Sequence, residues 1–222
     1  MTDKQIVLCS ASPRRQLLLR EMGIQFEVFK KDVDESFPSH LQREEIVCFL
    51  SVKKASVFRE LLAPGNIFIT ADTIVWFEDK VLNKPADGKE AFNVLKQLSG
   101  NMHEVFTGVT VFDEQHTKTF FVKTNVYFNN YEDDQIRFYI DQFKPFDKAG
   151  SYGAQECLPD GMDPISDEER KFLKQIGKPK LAEATRHSST TERFVAIKRI
   201  EGSYFNVMGL PIVELYSQLQ LF

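Results

Sequence analysis

Residues 9–15, with the sequence CSASPRR, place hydroxyl and guanidinium groups where a strand meets a helix. The apolar residues 6–8 predict a buried strand before this stretch. Ser12, Pro13 and Gly23 have the residue types of a helix N-cap, a first helical position and a helix end. The free N–H groups of such a turn point at its mouth, where an anion can bind.

Two arginines in the first turn of this helix oppose the helix dipole, at a cost of several tenths of a kcal/mol each. A bound polyanion would offset that cost, held by Arg14, Arg15, the backbone amides and the hydroxyls of Ser10 and Ser12. The alternative is that both arginines extend into water or pair with nearby acids. The stretch therefore predicts an anion site, with local ion pairs as the competing interpretation.

Further along the chain, one lysine and one aspartate stand where apolar residues are expected. Lys54 projects from the apolar stripe of a predicted helix over about 43–62, and it either reaches water or meets a buried anion. Asp72 interrupts a strand-like run, and a buried carboxylate is costly without a cation. A metal ion, Lys54 or Lys84 could supply that cation. We interpret Asp72 as a catalytic or metal-binding carboxylate, with a structural salt bridge as the alternative.

A glycine-punctuated loop over residues 145–155 is typical of backbone that approaches a ligand closely. Tyr152 in this loop could stack on a base. Gln155 carries the paired donor and acceptor that recognition of a base edge requires. By contrast, the acidic residues 32–36 are expected to form a solvated turn.

Composition limits the kind of protein this is. The chain has 222 residues, of which 42% are hydrophobic, and its net charge is −4. The charge disfavours a partner that is nucleic acid, so an anion site must be a local basic pocket. Three cysteines without framework spacing fit a reducing compartment, and no run predicts a membrane span or signal peptide. We expect a cytoplasmic protein that binds a small molecule.

The order of elements predicts an α/β fold. Strands and helices alternate early, and hairpin-like strands follow from about 67 to 128. We expect a mixed, twisted sheet with flanking helices and two lobes around a cleft. Residues 1–222 are expected to form one domain, with a polar surface insertion at about 157–191.

Taken together, the motifs resemble those of the Maf family of nucleoside triphosphate pyrophosphatases, which are related in fold to inosine triphosphate pyrophosphatases. The resemblance covers nearly the whole chain in order. Its motifs are SASPRR at 10–15, KA at 54–55, ADT at 71–73, KP at 84–85, LSG at 98–100, HEV at 103–105, TG at 107–108, DKAG at 147–150, GAQ at 153–155, EG at 201–202 and GLP at 209–211.

The resemblance implies an activity and a set of site residues. The chain is similar to the branch of the family that hydrolyses dTTP and UTP to the nucleoside monophosphate and pyrophosphate with Mg²⁺ or Mn²⁺. It implies that Asp72 is the base, a metal ligand or both. The residues implied to hold phosphates are Ser10, Arg15, Lys54 and Lys84, and those implied to set base preference are Arg14, Thr73 and Gln155. A homodimer is a further expectation. The family runs from this glutamine almost directly into the last strand, whereas here the insertion intervenes.

Two other functions compete with this one. Cys9 and Arg15 match the Cys-x5-Arg pattern of cysteine-dependent phosphatases, but Gln16 follows where those enzymes usually have serine or threonine. A non-catalytic nucleotide-binding regulator of cell division would need the basic pocket but not Asp72. The presence of Asp72 therefore favours the enzyme.

Overall fold

The computed structural model describes residues 4–185 and 194–222, and its centre is a seven-stranded mixed sheet. The strand order is β2–β1–β3–β5–β6–β7, with β4 also paired to β3. Strands β2, β1 and β3 run parallel, and the other pairs are antiparallel. The strands are β1 (Gln5–Leu8), β2 (Phe26–Val28), β3 (Asn66–Phe77), β4 (Lys80–Leu82), β5 (Met102–Phe112), β6 (Thr117–Phe128) and β7 (Ile197–Glu201). The prediction of an α/β fold with a mixed sheet is confirmed.

The α-helices cover the two faces of this sheet unequally. They are α1 (Pro13–Glu21), α2 (Glu44–Phe58), α3 (Gly88–Leu98), α4 (Asp133–Phe143), α5 (Asp167–Gln175), α6 (Leu181–Ala184), α7 (Tyr204–Val207) and α8 (Ile212–Leu219). Helix α2 packs on one face, around two small apolar clusters. The large core lies on the opposite face and takes residues from the seven other helices. The predicted division into two lobes stays a prediction.

Side chains along β3 alternate between these two faces, as strand geometry requires. Phe68, Ile74 and Trp76 pack into the clusters beneath α2, while Ile69 and Val75 enter the large core. The same alternation turns Asp72 towards α2 and Thr73 the other way.

One edge of β3 lacks a partner strand in its middle. Strand β1 pairs with residues 66–69 and β4 pairs with residues 75–77, while β5 occupies the other edge. Within the described ranges, no strand pairs with residues 70–74 on the edge that β1 and β4 share. The sheet therefore opens beside Asp72 and Thr73, at the end of β1 where α1 begins.

The segment expected to be a polar surface insertion contributes apolar side chains to the main core, and its interpretation as an insertion stays a prediction. Phe172 and Leu173 of α5, Leu181 of α6, and Cys157 are all buried within the large cluster. Its polar residues dominate the composition, but the apolar ones line one side of each short helix and therefore pack inwards. Residues 186–191 of the predicted insertion lie outside the described residues.

Among residues 4–185 and 194–222, we find no helix with the length and apolar character needed to span a bilayer.

We predict that Gly108→Ala destabilises the protein. Gly108 pairs with Asp72 in the sheet, and the backbone of α2 crosses it so closely that an added Cβ would lie 2.4 Å from the Val47 carbonyl oxygen. Because backbone atoms cannot move aside as a flexible side chain can, overpacking should lower the free energy of unfolding by about 1–3 kcal/mol. Chemical denaturation of the variant and the wild type measures this difference in the free energy of unfolding.

Gly88→Ala is the matched control. An added Cβ there would lie 3.8 Å from the nearest side-chain atom of Ile140, which is ordinary van der Waals contact. This variant should be as stable as the wild type or slightly more stable, because alanine has less freedom in the unfolded chain. Equal stability of both variants would show that α2 does not depend on the close approach at Gly108.

Candidate functional site

A cleft of about 670 Å³ lies at the opening beside β3. It is lined by the turn before α1, the start of that helix, Lys54 of α2, the middle of β3, and the segments 147–154 and 207–209. Seven of the eight residues predicted for the site line it, namely Ser10, Arg14, Arg15, Lys54, Asp72, Thr73 and Lys84. The predicted turn, the helix that follows it and the predicted strand around Asp72 thus bring these side chains to one opening.

Arg15 is bound on all three of its guanidinium nitrogens. Its Nε donates to the Gly209 carbonyl at 2.8 Å, and Nη1 donates to the Ala71 carbonyl at 2.7 Å and to Ser10 Oγ at 3.3 Å. Its Nη2 donates to Thr73 Oγ1 at 3.1 Å. Ala71 lies in the part of β3 that has no partner strand on one edge, so its carbonyl accepts from the arginine instead of from a neighbouring strand. Burial lowers the pKa of Arg15, and the charge of Asp72 opposes that effect.

Arg14 points to the other side of the cleft, where its Nη1 lies 3.3 Å from the Asp147 carboxylate. Asp147 also lies 3.3 Å from the ammonium of Lys148, a residue that is 7% exposed. Burial of Asp147 would raise its pKa, but the charges of Lys148 and Arg14 outweigh that effect and lower it. Arg14 thus forms the local ion pair of the competing interpretation, whereas Arg15 is bound by carbonyl and hydroxyl oxygens. Both side chains line one cleft, and the anion site stays a prediction.

Asp72 forms a salt bridge with Lys54 at the centre of the cleft. Asp72 is 7% exposed, on the face of β3 that α2 covers. The Lys54 ammonium also lies 2.8 Å from Glu35, and the other oxygen of Glu35 lies 2.9 Å from the ammonium of Lys84. Asp72, Lys54, Glu35 and Lys84 therefore form a continuous row of alternating charge along the cleft.

Glu35 is the residue of this row that the sequence did not identify. Its acidic loop was expected to be a solvated turn, because nothing in its pattern indicates that two lysines face it. Burial would raise the pKa of Glu35, but its hydrogen bonds to Lys54 and Lys84 and their charges lower it to about 2. The carboxylate is therefore ionised at any pH near neutral.

Gln155 does not line the cleft, although the preceding residues Gly153 and Ala154 do. Gln155 is 6% exposed, and its Oε1 has no hydrogen-bond partner among the described residues. The following residue, Glu156, accepts a hydrogen bond of 2.5 Å from Tyr139 and lies 3.4 Å from the Lys148 ammonium. These contacts of Glu156 hold the chain in place directly after Gln155. The Gln155 Oε1 is a buried acceptor that has no partner in the described structure.

Two of the four carboxylates that line the cleft, Asp72 and Glu35, are candidate ligands for a divalent cation. In the described part of the chain, no three histidine, cysteine, aspartate or glutamate side chains group closely enough to hold a metal ion by themselves. Asp72 and Glu35 both contact the Lys54 ammonium, so they face the same point. Mg²⁺ is commonly held by one or two carboxylates together with substrate phosphates, and these residues fit that arrangement.

Comparison with known proteins assigns the chain to a family. The model of the Maf family, described as Maf-like protein, matches residues 5–169. The matched region contains every predicted site residue. The chain belongs to the Maf family.

Proteins similar to this chain come from several bacteria and share one name, dTTP/UTP pyrophosphatase. The relative from Bacteroides fragilis strain YCH46 is 40% identical, over 97% of this chain and 95% of that protein. The relative from Cytophaga hutchinsonii is 39% identical, over 98% and 84%, and that from Christiangramia forsetii is 38% identical, over 99% and 95%. The matched spans run almost from end to end, so they extend across the segment interpreted as an insertion.

Among solved structures, the chain is similar to the Ham1 protein of Staphylococcus aureus. The TM-score is 0.42 at 12% identity, over 57% of this chain and 73% of that chain. A nucleoside-triphosphatase described as a dITP/XTP pyrophosphatase, from Mycobacterium abscessus, matches 56% of this chain with a TM-score of 0.33.

Cys9 lines the same cleft, which bears on the competing cysteine-dependent phosphatase. Those enzymes attack with a thiolate, which requires a lowered pKa. Burial instead raises the pKa of Cys9 to about 12. The cleft therefore lacks the thiolate that such an enzyme needs.

We predict that Cys9→Ala releases pyrophosphate from nucleoside triphosphates as fast as the wild type does. The thiol packs among apolar residues and is protonated near neutral pH, so it supplies no nucleophile. Steady-state rates of phosphate and pyrophosphate release measure the effect, with Cys48→Ala as the control for loss of a thiol elsewhere. Abolition of activity by Cys9→Ala alone would restore the cysteine-dependent mechanism.

Proposed function

We propose that the cleft hydrolyses dTTP and UTP to the nucleoside monophosphate and pyrophosphate. The observation that carries the proposal is the position of Asp72. This largely buried carboxylate lies at the centre of a cleft lined by basic side chains, where a purely binding site for a polyanion would be weakened by it. The relatives named dTTP/UTP pyrophosphatase, which match nearly the whole chain, support the same reaction.

The charge of the cleft supports a triphosphate bound together with a metal ion. Six basic and four acidic side chains line the cleft, which gives it a net charge of about +2 in a chain of net charge −4. A triphosphate carries about four negative charges, so one divalent cation would complete the balance. Asp72 and Glu35 would hold Mg²⁺ or Mn²⁺ there. When bound, the ion supplies charge neutralisation and polarises the phosphate oxygens.

In the proposed reaction, a water molecule attacks the α-phosphorus. A new P–O bond forms to the water oxygen, the bond from the α-phosphorus to the bridging α–β oxygen breaks, and pyrophosphate leaves with that electron pair. Asp72 accepts the proton that the water loses. Negative charge develops on the leaving pyrophosphate, and four basic side chains that line the cleft would stabilise it, namely Arg14, Arg15, Lys54 and Lys84.

Gln155 supports recognition of a thymine or uracil base. Its Oε1 is a buried acceptor without a partner in the described structure, and the N3–H of these bases is a donor. Cytosine presents an acceptor at that position, and an unpaired buried polar group is costly. The preceding residues Gly153 and Ala154 line the cleft, so the base would lie beside them. Arg14 and Thr73 line the same cleft and stay proposed determinants of base preference.

Two further expectations, a cytoplasmic location and a homodimer, also stay predictions. Neither is needed for the reaction, since the residues proposed for it all come from one chain.

The proposal is tested by incubating the protein with a panel of nucleoside triphosphates and Mg²⁺ and measuring monophosphate and pyrophosphate. We predict that dTTP and UTP are hydrolysed best, and that Asp72→Asn lowers turnover by about 10²–10⁴-fold because the amide cannot accept the proton. Tight binding of the nucleotides without hydrolysis by the wild type would favour the regulator instead.

Asp34→Asn is the matched control for that variant. Asp34 pairs at 2.8 Å with Lys53 of the same helix that carries Lys54, but it does not line the cleft. The same substitution there should leave turnover close to that of the wild type. If both variants are equally active, Asp72 is neither the base nor a required metal ligand.

We predict that Gln155→Ala reduces the preference for dTTP over CTP more than it lowers the rate with dTTP. The substitution removes the acceptor that pairs with N3–H, and discrimination of about 10-fold or more should be lost with it. The ratio of kcat/KM for the two nucleotides measures the effect, and Gln97→Ala on the exposed face of α3 is the control. An unchanged ratio would remove Gln155 from base recognition.

A further inference from the structure

Helix α5 sends one acidic side chain into the interior, away from the cleft. Glu169 is 1% exposed, and each of its carboxyl oxygens accepts hydrogen bonds from the segment that begins α7. Oε1 accepts from Ser203 Oγ at 2.6 Å and from the Phe205 N–H at 3.2 Å, and Oε2 accepts from the Tyr204 N–H at 3.3 Å. Oε2 also accepts from the Ser166 N–H at 2.8 Å, which completes the capping box of α5.

The contacted segment is too short to hold itself in place. Helix α7 has four residues, and the N–H groups of Tyr204 and Phe205 lie in its first turn, where a helix offers them no acceptor of its own. Both residues are buried, so these groups need a partner within the protein. Glu169 supplies that partner, and it therefore fixes the start of α7 relative to α5.

From α7, one path leads directly to Arg15. The Gly209 N–H donates to the Asn206 carbonyl at 2.9 Å, which folds the chain back after α7. The Gly209 carbonyl then accepts the 2.8 Å hydrogen bond from Arg15 Nε. The position of this carbonyl, and with it the orientation of the guanidinium, depends on where α7 lies.

A second path starts at the same helix and ends on the same guanidinium. The Asn206 carbonyl also accepts from Thr107 Oγ1 at 3.1 Å, and that hydroxyl shares a 2.9 Å hydrogen bond with Thr73 Oγ1. Thr73 Oγ1 in turn accepts from Arg15 Nη2 at 3.1 Å. Displacement of α7 would therefore disturb two of the three nitrogens of Arg15 together.

We propose that Glu169 is a positioning residue for Arg15, and that helix α5, which carries Glu169, thereby supports the phosphate site from outside the cleft. The choice of pyrophosphate as the ligand rests on the proposed function. The hydrogen bonds that connect Glu169 to Arg15 are independent of that function. Glu169 touches no cleft residue in the described structure and acts through α7. The role explains why an acidic side chain is buried in a segment whose composition predicted a surface insertion.

The test uses the affinity for inorganic pyrophosphate with Mg²⁺, measured by calorimetry, because binding needs no catalysis. Glu169→Ala should raise the Kd for pyrophosphate about tenfold, since a guanidinium that is no longer held binds less well. Glu169→Gln should give a smaller increase, because its amide oxygen can keep the bonds to Ser203 and Phe205. An unchanged Kd in both variants would overturn the proposal.

Leu173→Ala is the control for lost stability. Leu173 is 1% exposed on the same helix, one turn further along, and belongs to the large core. Its truncation should lower the melting temperature without changing the Kd for pyrophosphate. If Leu173→Ala weakens binding as much as Glu169→Ala does, the helix is needed only for folding and the proposal is wrong.

A double-mutant cycle with Arg15→Lys shows whether Glu169 acts through Arg15. Lysine keeps the charge but cannot make the contacts to Gly209 and Thr73 together. In this background Glu169→Ala should have little further effect, whereas full additivity would contradict the mechanism. Failure of the wild type to hydrolyse any triphosphate would disprove the proposed function, while the cycle on pyrophosphate affinity would still decide the role of Glu169.

Discussion

The contacts of the Arg15 guanidinium are the constraint on which the rest of the cleft depends. A cation in the first turn of α1 opposes the helix dipole by several tenths of a kcal/mol. Hydrogen bonds from a charged group contribute about 1.5–3 kcal/mol each, so the carbonyls of Ala71 and Gly209 outweigh that cost. Because these acceptors belong to β3 and to the turn after α7, one side chain fixes the helix, the sheet edge and the C-terminal segment relative to one another.

The gap between β1 and β4 along one edge of β3 leaves room for Arg15 to bind the strand. In an unbroken sheet, Asp72 and Thr73 would lie on opposite faces and take part in unrelated sites. Here β1 ends and β4 begins elsewhere along the same edge, so both side chains border one opening. Helix α2 reaches the opening from one face and α1 from its end. The close approach of α2 over Gly108 brings Lys54 to Asp72.

Local signals in the sequence predicted most of the site. Cap residues located the start of α1, and a charged residue in an apolar strand identified Asp72, because such exceptions are costly unless a partner lies nearby. Glu35 gave no such signal, since a loop has no periodicity to violate. The role of Glu169 could not be predicted, because its contacts with α7 join residues more than thirty positions apart. The burial of α5 was missed for a related reason, since a few apolar residues on one side of a polar helix hardly change its composition.

The acidic groups of the cleft differ in how firmly they are held, and this difference bears on what a ligand would displace. The side chains of Glu35 and Asp147 are 47% and 60% exposed, so their ion pairs with lysine and arginine are screened by water and weak. A triphosphate can replace them at the cations with little loss. The Asp72 side chain is 10% exposed, and its place on β3 is fixed by pairing on the side of β5. The exposed carboxylates therefore keep the basic groups neutralised and in position until an anion binds. The buried carboxylate keeps its place throughout, as the proposed proton acceptor must.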